Sequence, residues 1–290
     1  MSILFAFSVS DPERLCCALH PWRSPLRVPS ERTGDGWGLG FYQGGEVLLK
    51  KQPLASEDGD LDFYARAKGL KSNILVGHVR EATIGARRTE NTQPFRFRQW
   101  VGAHKGTIER FDQIRGELLE STPDFLRRNI RGESDSEHLF HLALAFLHDS
   151  GKLDDPRIAP DAAADAVRAA VTLVERAVAA KGGGESEKRD GTVLNFVLSN
   201  GRIVVALRRG APMLVMRRNG VADCPVCRQH IVDMGRGDRP APHEQLRSVL
   251  VLSGGDIGPE AGAEEVPDSA IVMVDESLSV SMRPLRPEDA

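Results

Sequence analysis

A chain of 290 residues with 38 basic and 41 acidic side chains carries a net charge of -3, and 41% of it is hydrophobic. That composition suits an ordinary globular protein, long enough for one large domain or two small ones. The near-neutral balance and lack of a long basic run argue against a nucleic-acid partner, and no apolar run reaches the ~20 residues of a membrane span.

The chain opens with Met1-Ser2-Ile3-Leu4-Phe5-Ala6-Phe7, which lacks a basic leader and turns polar at Ser8. It reads as a first strand, Ser2 to Val9, and not as a signal peptide. With no export signal, a cytoplasmic location and reduced thiols are expected for the four cysteines. A polar, Pro-bearing loop runs to Pro29, and within it Cys16 and Cys17 read as buried small hydrophobes. Gly34 to Tyr42 enters a second strand. Gln43-Gly44-Gly45-Glu46 then turns it into Val47-Leu48-Leu49, a hairpin signal. Asp60 to Leu70 is expected to be a short helix.

From Ile74 to Ile108 two short apolar strands end in Gly-bearing segments that hold an Arg, two His and a Lys. Loops carried on rigid strands are where chemistry is usually placed. Ser134-Asp135-Ser136-Glu137 has capping-box spacing and opens a helix with only one polar edge. A second helix, near Asp161 to Ala180, carries Val167, Val171, Val174 and Val178 at helical spacing. Lys181 to Ser186 breaks it into a Gly-rich linker. Val193–Leu198 and Ile203–Leu207 then flank Asn200-Gly201, a pair favoured by type I′ turns. Met213–Met216, Ser248–Leu252 and Ala270–Val274 are further strands. Strands, two helices and more strands predict an α+β fold of face-to-face antiparallel sheets with helices outside, as a single domain over 1–290 with a polar insertion near 218–246.

Five segments, taken together, resemble the class II glutamine amidotransferases, in particular stand-alone bacterial proteins similar to their glutaminase domain. They are Asp35-Gly36-Trp37-Gly38, Gly77 to Thr83, Asn91-Thr92 with Pro94-Phe95, Ala103-His104 with Gly106, and Ser134 to Glu137. The resemblance implies the N-terminal-nucleophile hydrolase fold, a four-layer αββα sandwich. It implies a pocket in which Arg80 grips a glutamine carboxylate and Asp135 its ammonium, with Thr83 and Gly106 alongside. The chemistry agrees, because a guanidinium fork meets a carboxylate in paired charge-assisted bonds. The blander alternatives are an Arg80 salt bridge with Glu81 or Glu90, and Asp135 as a helix cap. His78 and His104 are framework residues in such proteins. No cofactor is required, and any ammonia released would need a separate acceptor protein.

Three departures fall on the chemistry itself. Ser2 stands where the family has its nucleophilic Cys. A serine hydroxyl needs a real base, and the fold supplies only the residue's own α-amine once Met1 is removed. Lys105 replaces an Asn that donates to the oxyanion, a loss that typically costs ~10²–10³ in rate unless the ammonium substitutes. Near Ser2, Lys105 would also depress the α-amine's pKa. Gln93 stands where a His commonly precedes Pro94. The expectation is therefore an amino-acid-binding pseudoenzyme, impaired or silent as a glutaminase. The alternative is an active serine amide hydrolase acting on glutamine or a γ-glutamyl compound, with Ser2 as nucleophile and Lys105 as oxyanion donor.

Cys224-Pro225-Val226-Cys227, with His230 and His243 downstream, forms a candidate structural zinc set. The alternative is a reduced surface loop.

Overall fold

Strand β1 (Ile3–Val9) is buried at every position because both its faces are covered. Ile3, Phe5, Phe7 and Val9 enter one apolar core while Leu4 and Ala6 enter another, the two-residue alternation of a central strand. The computed structural model describes residues 2–32, 35–54, 59–182, 192–221, 224–227, 243–254 and 262–286. The other strands are β2 (Arg27–Val28), β3 (Trp37–Gln43), β4 (Glu46–Gln52), β5 (Leu61–Asp62), β6 (Ile74–Val79), β7 (Phe95–Phe97) and β8 (Trp100–Lys105). They continue with β9 (Asn195–Ser199), β10 (Val204–Arg208), β11 (Leu214–Val221), β12 (His243–Ser253), β13 (Ala263–Glu265), β14 (Ala270–Val274) and β15 (Val280–Pro284). A seven-stranded sheet runs β13-β11-β12-β1-β6-β3-β4, and a six-stranded sheet runs β15-β14-β10-β9-β8-β7. Their pairings are antiparallel.

The helices are α1 (Leu15–Leu19), α2 (Phe63–Arg66), α3 (Phe111–Glu120), α4 (Asp124–Arg127), α5 (Asp135–Asp149) and α6 (Pro160–Ala180). Helices α3, α5 and α6 cover the six-stranded sheet, joining Phe140, Leu144, Val171 and Val174 to Phe196 and Val205 in one core. Between the sheets lie Leu4, Val76, Val101, Val197 and Val251. The outer face of the seven-stranded sheet is covered by the short helices α1 and α2, through Leu15, Leu19 and Phe63. The expected αββα order is present, but this last layer is thin.

Several local expectations need correction. Asp60 to Leu70 is not one helix: Leu61 and Asp62 pair as β5 with β2, and α2 is a single turn capped by Asp62. Helix α3, in a stretch for which the sequence offered no assignment, follows a start at Arg110 in the left-handed region. The β9–β10 hairpin forms, but its turn is not type I′, which needs positive φ at both central residues. Gly201 alone has φ of 87°, and the Asn200 side chain instead accepts from the amides of Arg202 and Ile203, an Asx turn. Gly44 and Gly45, with φ of 63° and 82°, do make the two-residue turn expected between β3 and β4. The capping box is half formed: Ser134 Oγ accepts from Glu137 N, but the Glu137 carboxylate accepts from Arg131 and Gly132 N. Strand β11 extends to Val221 and β12 starts at His243, so both edges of the polar 218–246 stretch are strand.

Candidate active site

Register brings the site together. Ile3 pairs with Val79 on β6, and Leu4 pairs with Ser253 on β12, so Ser2 sits opposite the Arg80–Glu81 segment and beside Gly254. Ser2 N donates to Glu81 Oε2 at 3.1 Å. Adjacent residues of an extended chain face opposite ways. While Glu81 turns to Ser2, Arg80 turns inward and is 5% exposed. The Arg80 guanidinium donates to the carbonyls of Ile84 at 2.9 Å, Gly85 at 2.8 Å and Ala86 at 3.1 Å. It therefore holds the 84–86 loop closed. Asp35 pins the same loop, accepting from Ala82 N at 2.8 Å and pairing with Arg87 at 2.6 Å. Burial lowers the Arg80 pKa, while Asp35 and Asp135 oppose that shift.

Helix α5 starts at the opposite wall. Ser134 is its N-cap, which leaves Asp135 for another task. One Asp135 oxygen accepts from Ile108 N at 2.8 Å, and the other accepts from Ser136 N at 2.8 Å. The cap of α5 is thus Ser134 and not Asp135. The hydroxyls of Thr83 and Thr107 meet at 2.8 Å and tie the two loops together. Gly106 has φ of 146°, and a Cβ there would stand 1.9 Å from Val193 O, so the backbone approach requires glycine.

Beneath the loops lies a neutral polar floor. His104 lies between Ser136 Oγ, 2.9 Å from its Nδ1, and Val193 O, 3.0 Å from its Nε2. Nε2 donates to the carbonyl, so Nδ1 accepts the hydroxyl proton. Burial lowers the His104 pKa. Burial, helped by His104, Arg80 and Lys105, pushes His78 down to about 3. Both rings are neutral near pH 7. The Gln93 carboxamide accepts from His104 N at 2.6 Å and donates to His104 O at 2.8 Å. It clamps the β8 backbone with a donor and an acceptor carried on one carbon.

Ser2, Arg80, Thr83, Gly106 and Asp135 all line one cavity, with His78, Glu81, Asn91 and Gln93 contributing. Its volume is about 30 Å³, room for a water or two and not for an amino acid. Lys105 does not line it. Its stem lies across Gly254, whose φ is 86° and where an added Cβ would stand 2.8 Å from Lys105 Cε and 2.3 Å from Ser2 O. Burial lowers the Lys105 pKa and Glu81 opposes that shift.

A family model, glutamine amidotransferases class-II, matches residues 1–235. The chain belongs to the class II glutamine amidotransferases. A gamma-glutamyl-hercynylcysteine sulfoxide hydrolase of Mycobacterium tuberculosis is 34% identical over 93 residues, 32% of this chain and 40% of that protein. An amidophosphoribosyltransferase of Methanothermobacter thermautotrophicus is 38% identical over 123 residues, 40% of this chain and 24% of that protein. The first curated relatives are matched over only 30% to 40% of their own length. A solved class-II glutamine aminotransferase domain protein from Silicibacter pomeroyi superposes with a TM-score of 0.56 at 18% identity, covering 98% of this chain and all of that one. At that identity the likeness shows the fold alone.

The family's motifs thus converge in space as well as in order. Reading the sequence left Glu81 as a mere alternative partner for Arg80 and gave Asp35 and Ser136 no role. The signal for Glu81 was its position next to Arg80, which sends it to the other side of the chain, toward Ser2. Of the candidate zinc ligands, Cys224, Cys227 and His243 come together far from this cavity, joined by Cys17. His230 lies outside the described residues. Among the described residues no helix is long and apolar enough to cross a membrane.

Proposed function

We propose that this class II glutamine amidotransferase homologue binds an amino acid or γ-glutamyl compound and is impaired or silent as a glutaminase. The observation that carries this reading is the direction of Lys105. Its stem runs along Gly254 beside the Ser2 backbone, and Lys105 is not among the residues lining the cavity between Arg80 and Asp135, which supports the reading that its ammonium does not take the place of the family's oxyanion donor. Glu81 adds to the effect. A carboxylate 3.1 Å from Ser2 N favours an ammonium at that nitrogen after Met1 removal, and an ammonium cannot serve as base.

The binding half of the site is intact in its chemistry. Arg80 offers a fork for a carboxylate, and Asp135 offers a carboxylate for an ammonium. For a ligand to enter, Arg80 must release the 84–86 carbonyls and the Thr83–Thr107 contact must part. The γ-glutamyl class is supported by the mycobacterial relative's name.

A second reading is favoured by the placement of Ser2 at the head of β1, on the cavity wall. In it, Ser2 Oγ attacks the side-chain amide while the freed α-amine takes its proton. The Gly106 N–H and a reoriented Lys105 ammonium hold the oxyanion, and the amine leaves with the returned proton; water, deprotonated by the same α-amine, then attacks the Ser2 ester, releasing the acid and returning the proton to Ser2 Oγ. Any ammonia so released would pass to a separate acceptor protein.

The test is glutamate release from glutamine and from a γ-glutamyl dipeptide, using full-length protein whose intact mass shows loss of Met1. A Ser2→Ala control runs in parallel. No turnover, with ligand binding that depends on Arg80 and Asp135, is the expected result. Turnover that disappears in Ser2→Ala would establish the serine hydrolase instead.

A further inference from the structure

Helix α1 is only five residues long, yet with α2 it must help cover the outer face of the seven-stranded sheet. Four ligand-bearing side chains meet on this face. Cys17 comes from α1, Cys224 and Cys227 follow β11, and His243 opens β12. Their Sγ and imidazole nitrogen atoms all lie within 4.8 Å of one another. Cys17 Sγ is 3.6 Å from Cys227 Sγ, and Cys227 Sγ is 3.1 Å from His243 Nε2. Ligands placed ~2.3 Å from a central zinc at tetrahedral corners stand ~3.8 Å apart. The cluster already has close to that spacing, and its four members are drawn from three chain segments.

We propose that Cys17, Cys224, Cys227 and His243 bind one zinc ion in a closed Cys₃His site that staples residues 224–227 and the start of β12 to α1. As in any such site, the thiols bind as thiolates and release their protons. Three thiolates, a neutral imidazole and Zn²⁺ carry a net charge of −1, and the Arg14 guanidinium already lies against the His243 ring to meet it. Coordination through Nε2 leaves Nδ1 as an N–H, so the Arg14 guanidinium, which also stands 3.3 Å from Nε2, swings off both ring nitrogens while keeping its 3.1 Å contact from Nε to Asp11 Oδ2. Without a cation, burial and mutual crowding hold the Cys17 thiol protonated, its pKa well above the usual thiol range. With all four positions taken by protein, the ion has no open site for catalysis and serves to tie α1 to the β11–β12 end of the sheet.

Metal analysis of the full chain, purified under reducing conditions with zinc supplied, tests this directly. The expected result is about one zinc per chain, released by a mercurial thiol reagent, and a thiolate-to-metal charge-transfer band after cobalt(II) exchange. Cys17→Ser should weaken zinc binding by more than the ~10–100-fold that loss of an outer-shell partner brings. Cys16→Ser and His230→Ala should keep the metal. Cys17→His guards against a folding artefact, because it should retain one cobalt while losing about a third of the charge-transfer intensity. Zinc retained in full by Cys17→Ser would overturn the site, as would metal-free protein with four free thiols, a Cys17–Cys227 disulfide, or iron in place of zinc.

Discussion

Ser2 N and Glu81 Oε2 are held 3.1 Å apart because the β1–β6 register sets the first residue of one strand against the segment leaving the other. Once Met1 is gone, this contact joins an ammonium to a carboxylate. Glu81 should raise the Ser2 α-amine above its ordinary ~7.7–8.0, while Lys105 pulls it down. In protein lacking Met1, Glu81→Gln should therefore shift amine labelling to lower pH, and Lys105→Ala should shift it to higher pH. Intact-mass measurement of N-terminal acylation against pH reads both. An unchanged profile in both variants would remove Glu81 from the site.

Arg80 spends its fork on three backbone carbonyls, and a lysine cannot span them. Arg80→Lys is expected to destabilise the fold by about 3 kcal/mol, read from the urea midpoint, because hydrogen bonds to a buried charge are lost. Binding of an amino-acid or γ-glutamyl ligand, followed by calorimetry, should vanish in the same variant and persist in Thr83→Ser.

Gly106 is expected to tolerate no side chain. Gly106→Ala would drive a Cβ into Val193 O at a backbone angle that L residues rarely adopt, costing about 3 kcal/mol or more. Chemical denaturation checks this. The His104 contact with the same carbonyl would be lost together with the loop.

The neutral histidines make stability depend on acid. His78 falls from an ordinary 6.5 to about 3 in the folded protein. Between those values the unfolded chain binds the proton and the folded one does not. Stability should therefore be insensitive to this ring above pH ~6.5 and decline as pH falls, by about 2 kcal/mol at pH 5. His141, held down to about 4 by burial, acts in the same direction. Urea midpoints at pH 7 and pH 5 measure the decline, and His78→Gln should make it shallower.

The central strands, helices α5 and α6, and the β3–β4 turn were legible because each is written in a local period or a Gly pair. That Arg80 and Asp135 share one cavity was legible through their flanking motifs. Helix α3 and the pairing of β5 with β2 were not, since their stabilising partners are distant in the chain.

Cys17 shows the same division. Its own neighbourhood marks it only as a small apolar residue, and nothing local ties it to Cys224, Cys227 and His243, which lie more than two hundred residues away. The sequence by itself determined the sandwich, the family, and which side chains were available for the site. Only the tertiary structure decided that Glu81 faces Ser2, that Arg80 closes its own loop, that Lys105 lies outside the cavity and that Cys17 joins the other thiols. Those outcomes depend on strand register and on close backbone approaches at Gly106 and Gly254, which are set by contacts between segments remote in the chain.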